Sequence, residues 1–439
     1  MNKYSLSALM AAGLVAGGLS TGSASAADLG GNCCADLEER IAELEATTAR
    51  KGNRKVSLTV SGWVGQQVTW WDDGGESNVY VNDLGTTLAS HVKFTGQATI
   101  LPGWTAGYVL HLEAVGSDSL TMNQFRPDGP SVLTGTNNGV GTLQSFWFLK
   151  SDTLGKVSVG KQSQASDNTA ILVDGSGSLV PANWVSFDVN SFFIRNRDGN
   201  LSSLTWGGAG GCVWGDCNGA PTNSVRYDSP SFGGFSVSAS WGEDDFWDVA
   251  ARYAGEWADF KVAAAAAYSQ TNSTSGDSGN VIQQPDTQYF QAGLYIEHVP
   301  TGLFAYGAYG HYDYDNTAFY GDTGSNNTYY VKGGIRQRWT PLGHTVLYGE
   351  YERAQNNLGG NFCTDQSTTC IADGSILDNT NATTTGTEVR MWGVGAVQEI
   401  DSAAMSIWVK YRNLDASVSG AGFDSDKFDE VTMGALINF

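Results

Sequence analysis

The residues able to do chemistry in this chain are charged groups set among apolar ones, and their spacing suits handling ions better than breaking bonds. Three acids, Asp167, Asp174 and Asp188, lie in one long connection, 164–222. The same stretch carries Ile171, Leu172, Val173, Leu179, Val180, Trp184, Phe187, Phe192, Phe193 and Ile194. A connection this long needs a function, and one this apolar needs a surface to bury against. The bases stand elsewhere. His91, Lys93, Arg226, Arg252, Lys332, Arg336, Arg338, Lys410 and Arg412 each fall on the polar side of a segment whose other side is apolar. Turning a Lys or Arg toward hydrocarbon costs roughly 2–4 kcal/mol at the bilayer midplane. The polar sides are therefore read as a wet interior. Acids on an inserted loop facing bases on the wall would set up a transverse field, which orients dipolar solutes and favours hydrated polar ones. Arg195 and Arg197 are placed on the loop itself.

Catalysis finds little support. The five histidines, His91, His111, His298, His311 and His344, sit on separate segments without a Ser/His/Asp pattern. No nucleotide-binding motif follows a strand and opens a helix. The chain is read as no enzyme and as needing no cofactor. The 45 acids against 24 bases argue against nucleic acid as a partner. Acidic stretches such as Asp72-Asp73-Gly74-Gly75-Glu76 read as solvated loop acids in preference to a divalent-cation site. Cys212 and Cys217, and Cys363 and Cys370, are spaced to close two local disulfides in an oxidising compartment. Zinc would want further His or Cys nearby, and none is present. Adjacent Cys33 and Cys34 suit an intersubunit link better than a bond to each other.

The elements that must position these groups are strands. At the C-terminus Val431, Met433, Ala435, Ile437 and Phe439 alternate with polar or small residues, with Leu436 the one break. Val56, Leu58, Val60, Gly62, Val64, Val68 and Trp70 share one face of an early segment, and 88–100 repeats the pattern. Short turns at 101–103, 151–155, 230–234, 258–260, 299–302, 341–344 and 401–404 alternate with longer polar connections at 72–86, 115–141, 164–222, 242–247, 271–286, 315–327, 355–386 and 416–426. That asymmetry predicts an all-β fold: a closed barrel of sixteen antiparallel transmembrane strands, both chain ends on the short-turn side. Trp63, Trp70, Trp71, Trp104, Trp206, Trp241, Trp257 and Trp339 are assigned outward, as interfacial belts. No stretch offers about 18 consecutive apolar residues for a spanning helix.

Three regions follow. Residues 1–26 read as a signal peptide, with Lys3, an apolar run 6–19 and Ala24-Ser25-Ala26 as cleavage site. Its removal takes the net charge from -21 to -22, because Lys3 is its one charged residue. Residues 27–54 are a leader whose helix, 35–50, carries Leu37, Ile41, Leu44 and Thr48 at 4-3-4 spacing. This is either a short coiled-coil seam or an amphipathic helix on the barrel mouth. Residues 55–439 make the barrel, with 164–222 folded inward. Loop acids and the net charge predict a modest cation preference.

The segments 36–63, Val157-Ser-Val-Gly-Lys-Gln162, Asn223–Phe235 and Ile437-Asn438-Phe439 resemble alphaproteobacterial (Rhizobiales-type) general diffusion porins over essentially the whole mature chain. That resemblance implies a homotrimer of barrels in the bacterial outer membrane, each with a pore narrowed by the third loop. It implies passage of small hydrophilic solutes and ions, a periplasmic N-terminus, and outer-membrane lipids and lipopolysaccharide as surroundings. Phe439 matches the terminal aromatic read by the barrel-assembly machinery. Ala27-Asp28 resembles the starts that related barrels join to peptidoglycan through the free amine. A solute-selective channel and an envelope-tethering protein are the alternatives on the same scaffold.

Overall fold

The computed structural model describes residues 55–136, 139–243, 245–272, 286–316, 322–356, 360–362, 382–420 and 422–439. Ala27, the helix expected at 35–50, Cys33, Cys34, Cys363 and Cys370 lie outside these residues. The alternating segments form β1 (Thr59–Asp72), β2 (Ser77–Asn82), β3 (His91–Leu101), β4 (Trp104–Val115), β5 (Gly139–Ser151) and β6 (Gly155–Gln162). A short hairpin, β7 (Phe193–Arg195) and β8 (Leu201–Thr205), and one turn of helix, α1 (Trp206–Gly210), fall inside the long connection. After it come β9 (Thr222–Asp228), β10 (Phe235–Gly242), β11 (Trp247–Trp257), β12 (Phe260–Thr271), β13 (Asp286–His298), β14 (Leu303–Asn316), β15 (Asp322–Thr340) and β16 (Gly343–Asn356). The chain ends with the small pair β17 (Gly360–Phe362) and β18 (Ala382–Thr384), then β19 (Gly386–Ile400), β20 (Met405–Ser419) and β21 (Phe428–Asn438).

Seventeen of these strands join one sheet. β2 and β3 are two pieces of one stave, because β3 pairs with β1 over Thr59–Trp63 and β2 over Gln67–Asp72. Seventeen less one gives sixteen staves. β1 also pairs with β21, from Trp63 opposite Asn438 to Asp72 opposite Asp429. Gly62 and Phe439 finish that seam with two reciprocal backbone hydrogen bonds of 3.0 Å. Every stave then has two neighbours and no edge is left to aggregate.

One end carries only short turns, at the seven places read from the sequence. The β13–β14 turn shows why glycine is needed there: Gly302 has φ +67°, and a Cβ on it would lie 2.0 Å from the Arg336 carbonyl oxygen. At the opposite end the first connection differs from expectation. It is a tight turn at 73–76, followed by β2 and then by a stretch, 83–90, that folds inward over β1. A Cβ on Gly65 would lie 2.6 Å from Leu84, and Trp63 donates to the Leu88 carbonyl at 3.0 Å. This explains the break in the last strand. Leu436 pairs with Gly65 and faces inward, where Leu84 and its neighbours make the wall dry.

The outer face is apolar, with Val60, Val64, Val68 and Trp70 exposed along β1 and Met433, Ile437 and Phe439 along β21. Trp104, Trp241, Trp257 and Trp339 also point out. Three tryptophans do not. Trp71 is the neighbour of outward Trp70, so the strand's period of two turns it inward. Trp63 is inward on the same strand, and Trp206 is buried in α1. The barrel interior holds the aromatic core: Phe192 lies 5.1 Å from Trp71 and 5.0 Å from Phe428 between ring centroids, with Trp206 6.1 Å from Phe428.

Candidate functional site

The connection between β6 and β9 lies within the barrel, and the side chains that hold it there come from nearly every part of the wall. It enters beside β9–β11. Arg226 donates to the carbonyls of Ser163 and Gln164 at 2.9 and 3.2 Å, and Arg252 to those of Ala165 and the Thr169 hydroxyl at 2.6 and 3.0 Å. Asp248 accepts from the Ser166 amide and hydroxyl, both at 2.6 Å. Along β11–β14 the inward residues are small, Ala250, Ala265, Ala267, Gly293 and Ala308, so the backbone of 165–175 can lie against the wall. A Cβ on Gly293 would sit 2.3 Å from the Ala170 carbonyl oxygen. Gln291 and Tyr306 then tie Ala170 by its amide and carbonyl, at 2.9 and 2.8 Å.

On the opposite wall the contacts become ionic. Lys332 on β15 meets Asp174 at 2.5 Å, with both side chains fully buried, and also donates to the Ala182 carbonyl at 2.7 Å. Arg412 on β20 bonds Glu350 of β16 at 2.8 and 3.1 Å and the Asn183 carbonyl at 3.1 Å. Lys410 contacts Asp188 of the loop and, at 3.2 Å, Glu430 of β21. Gln67 of β1 adds a 2.5 Å hydrogen bond to Asp188. Farther along, Tyr289 holds the Gly215 carbonyl at 2.6 Å, and Thr387 holds that of Ala209 at 2.5 Å. The Cys212–Cys217 disulfide closes the turn between them.

A small gap of about 10 Å³ remains between the loop and the β1–β20 wall, close to the room one water needs. Gln67, Asn183, Asp188, Lys410 and Arg412 give it polar walls, and Val180, Pro181 and Phe187 its apolar ones. Here a cation and an anion are in contact, so the charges meet without an open aperture between them. Such a site brings together paired fixed charges and several hydrogen-bonding groups, those of Gln67, Lys410 and Arg412 positioned by strands and those of Asn183 and Asp188 by the inserted connection.

The remaining sequence-singled residues lie in other settings. Asp167 is buried on the entry side of the loop, and burial, with Asp216 nearby, holds its carboxyl well above the usual range. Burial likewise pushes Asp216 up to about 7. Arg336 pairs with Glu399 at 2.9 Å beneath the loop, where a Cβ on Gly177 would lie 3.1 Å from its Nε. Arg338 is half-exposed at the short-turn rim, bound to Asp401 at 2.5 Å. His91 stacks edge-on against Trp63 at 4.0 Å and lies 4.1 Å from the His111 ring, under the inward stretch 83–90, with Lys93 buried two residues further along β3. Arg195 of the loop is buried and grips Asp73 through two hydrogen bonds of 2.9 and 3.0 Å, so Asp73 is not a solvated acid. Burial works to raise Asp73, but the Arg195 guanidinium and the amides of Glu76 and Gly75 hold it below its ordinary value. Arg197 forms an exposed pair with Asp424 at 2.9 Å.

Glu350, Glu430 and Gln67 are the site residues that sequence reasoning missed. The signal was available for the two acids: Leu347 and Tyr351 are outward, which makes Glu350 inward by the same parity that placed Lys332, and Val431 does the same for Glu430. Among the described residues no group of three metal-ligating side chains is gathered.

Comparison with solved structures finds the same barrel in proteins of very different sequence. An anion-selective porin from Comamonas acidovorans aligns with a TM-score of 0.51 at 15% identity, covering 88% of this chain and 100% of that one. OmpT folded in vitro, an outer membrane protein of Vibrio cholerae, aligns with a TM-score of 0.51 at 11% identity over 89% and 99%. Its trimer form aligns at 0.50 and 12% over 88% and 99%. No curated protein sequence matches the chain. The Gram-negative porin family model, however, matches residues 6–436. The closed sixteen-stave barrel agrees with that match, and the chain belongs to the Gram-negative porin family, the outer-membrane channels for passive diffusion.

Proposed function

We propose that this porin is a general diffusion channel of the alphaproteobacterial type, working as a homotrimer with its long loops outside the cell and both chain ends in the periplasm. Small hydrophilic solutes and ions pass along the barrel lumen, which the 164–222 segment narrows. The observation that carries this reading is the closed barrel with the charged 164–222 segment seated in its lumen against Lys332, Lys410 and Arg412, since hydrated solutes need polar groups along their path to replace part of their water shell. Asp174 and Lys332 hold the segment on β15, and Asp167, Arg226 and Arg252 anchor its entry. Lys93, Arg336 and Arg338 contribute charge elsewhere along the inner wall, where His91 adds a buried ring. The trimer form of the similar Vibrio cholerae protein agrees with a trimeric assembly. The chain performs no covalent chemistry in this reading. Insertion through Phe439 by the barrel-assembly machinery and a peptidoglycan link at Ala27 belong to the same proposal.

Planar-bilayer recording on the purified trimer tests it. Current should rise linearly with salt and with solute, and the reversal potential in a salt gradient should be modestly cation-selective. Asp188→Asn removes one negative charge at the gap and should move the reversal potential toward anions. Saturation by one solute would replace general diffusion by selective transport, and negligible current would leave only an envelope role.

A further inference from the structure

A second site lies on the inner wall under the stretch 83–90. His91 of β3 and His111 of β4 are diagonal neighbours on one inward face, because the register sets Glu113 opposite His91 and Lys93 opposite His111. Their ring centroids are 4.1 Å apart, with the planes tilted by 55°. Both residues are more than nine-tenths buried. The His91 Nδ1 lies 3.2 Å from the Ala89 carbonyl oxygen. A carbonyl only accepts, so Nδ1 carries the proton and Nε2 keeps a bare lone pair. Neither nitrogen of His111 has a hydrogen-bond partner. A buried polar group left unpaired calls for an explanation, and a neutral imidazole has one further capacity, to ligate a metal.

The surroundings suit such a role. A ligating histidine ordinarily donates its other ring nitrogen to a carbonyl or carboxylate, which fixes tautomer and ring, and the Ala89 carbonyl does this for His91. Trp63 braces the same ring edge-on at 4.0 Å. Glu113 holds the amides of Thr87 and Ala89 at 3.1 and 2.9 Å, and Asp118 holds that of Thr86 at 3.0 Å. With buried Asp83, these carboxylates offset the Lys93 ammonium across from His111. Thr87 has φ +82°, a strained state for a β-branched residue, of the kind that gathers at functional sites. Two imidazoles bound side by side to one ion stand roughly 4.5 Å apart between ring centres, given metal–nitrogen bonds of about 2.0–2.1 Å. These rings need to part by less than half an ångström to reach that spacing.

We infer that His91 and His111 bind one divalent transition-metal ion of the class that prefers imidazole, copper, nickel or zinc, with water completing its coordination. The ion cross-links β3 to β4 and steadies the stretch 83–90, whose Ala89 is tied by its carbonyl to His91 and by its amide to Glu113. Calcium and magnesium prefer oxygen ligands and are not held here. The site stands whichever solutes the channel passes.

Copper(II), added to the purified full chain after chelator treatment, tests it. Electron paramagnetic resonance should show hyperfine splitting from two nitrogens, saturating at one ion per barrel. Nickel or zinc should displace the copper, and calcium should not. His111→Phe should weaken binding by roughly a hundredfold, since loss of an outer-shell partner alone costs about 10–100-fold. His298→Gln/His311→Gln/His344→Gln removes the other three histidines and should leave the signal intact. Both variants should keep wild-type conductance, which shows that they fold. In the wild-type chain, where folding is not in question, zinc should slow amide exchange at Thr87 and Ala89 severalfold and leave β13 unaffected. A spectrum of oxygen ligands only overturns the inference. So does a two-nitrogen signal that is undiminished in His111→Phe or lost in the triple variant, or zinc without effect on those two amides.

Discussion

At the scale of single residues, the lumen is governed by buried charges that have partners. Lys332 and Asp174 are both fully buried, so losing one leaves an uncompensated ion in a dry place. Lys332→Met should weaken docking of the loop by about 3–5 kcal/mol, whereas adding Asp174→Asn should recover most of that, because a buried pair is worth little against a well-packed neutral replacement. Limited proteolysis within 165–190, compared among the three proteins, measures it. Asp216 responds to pH in a defined direction. Burial holds it near 7 and holds neighbouring Asp167 well above its ordinary value, so the docked loop binds more protons than a free one. Docking is then strongest below about pH 4 and is lost progressively as pH rises toward 7. Amide exchange over 212–218, corrected for its intrinsic pH dependence, should show protection falling across that window. Asp216→Asn should flatten the profile, and an unchanged slope would refute the assignment.

At the scale of elements, the inserted segment and the wall are matched in shape. Staves β11–β14 give up side-chain volume on their inner face so that 165–175 can approach by its backbone. Gly293→Val puts methyl groups where the Ala170 carbonyl lies, 2.3 Å from the Cβ position. Overpacking of this kind costs roughly 1–3 kcal/mol. The segment should lift from the wall, giving larger and noisier single-channel currents while the barrel itself stays heat-resistant. The disulfide plays a smaller part. Cys212 and Cys217 close only a short loop, whose chain-entropy contribution is about 2 kcal/mol. The hydrogen bonds from Tyr289 and Thr387 persist without it.

At the scale of the whole molecule, closure is the decisive event, since all sixteen staves depend on the first meeting the last. Phe439 shares two backbone bonds with Gly62 and leaves its ring exposed on the outer surface. Those bonds are the same for any residue, while the ring makes no contribution to the interior. Phe439→Ala should therefore fold in detergent with nearly unchanged thermal stability, yet reach the outer membrane in much smaller amounts. Cell fractionation beside in-vitro folding separates the two effects. Equal loss in both would mean that the ring serves stability and not recognition.

The sequence alone determined the barrel, because period-two alternation and the alternation of short and long connections are local properties that survive without knowing any contact. It also determined which face each wall base takes, since parity along a strand needs only an outward neighbour such as Val225 or Tyr227 to fix Arg226. Tertiary structure decided what those bases touch. Lys410 and Asp188 are far apart in sequence and meet only because the long segment crosses the lumen, and Arg195 finds Asp73 for the same reason. Trp71 was misassigned although parity sufficed, since Trp70 shares the outer face with Val64 and Val68 and its neighbour must turn in. The stretch 83–90 was read as the end of an outer loop at 86 and the start of a strand at 88, and Leu436 as an irregularity. The two are one fact, an inward fold that dries a patch of wall, and no local pattern in either segment points to the other.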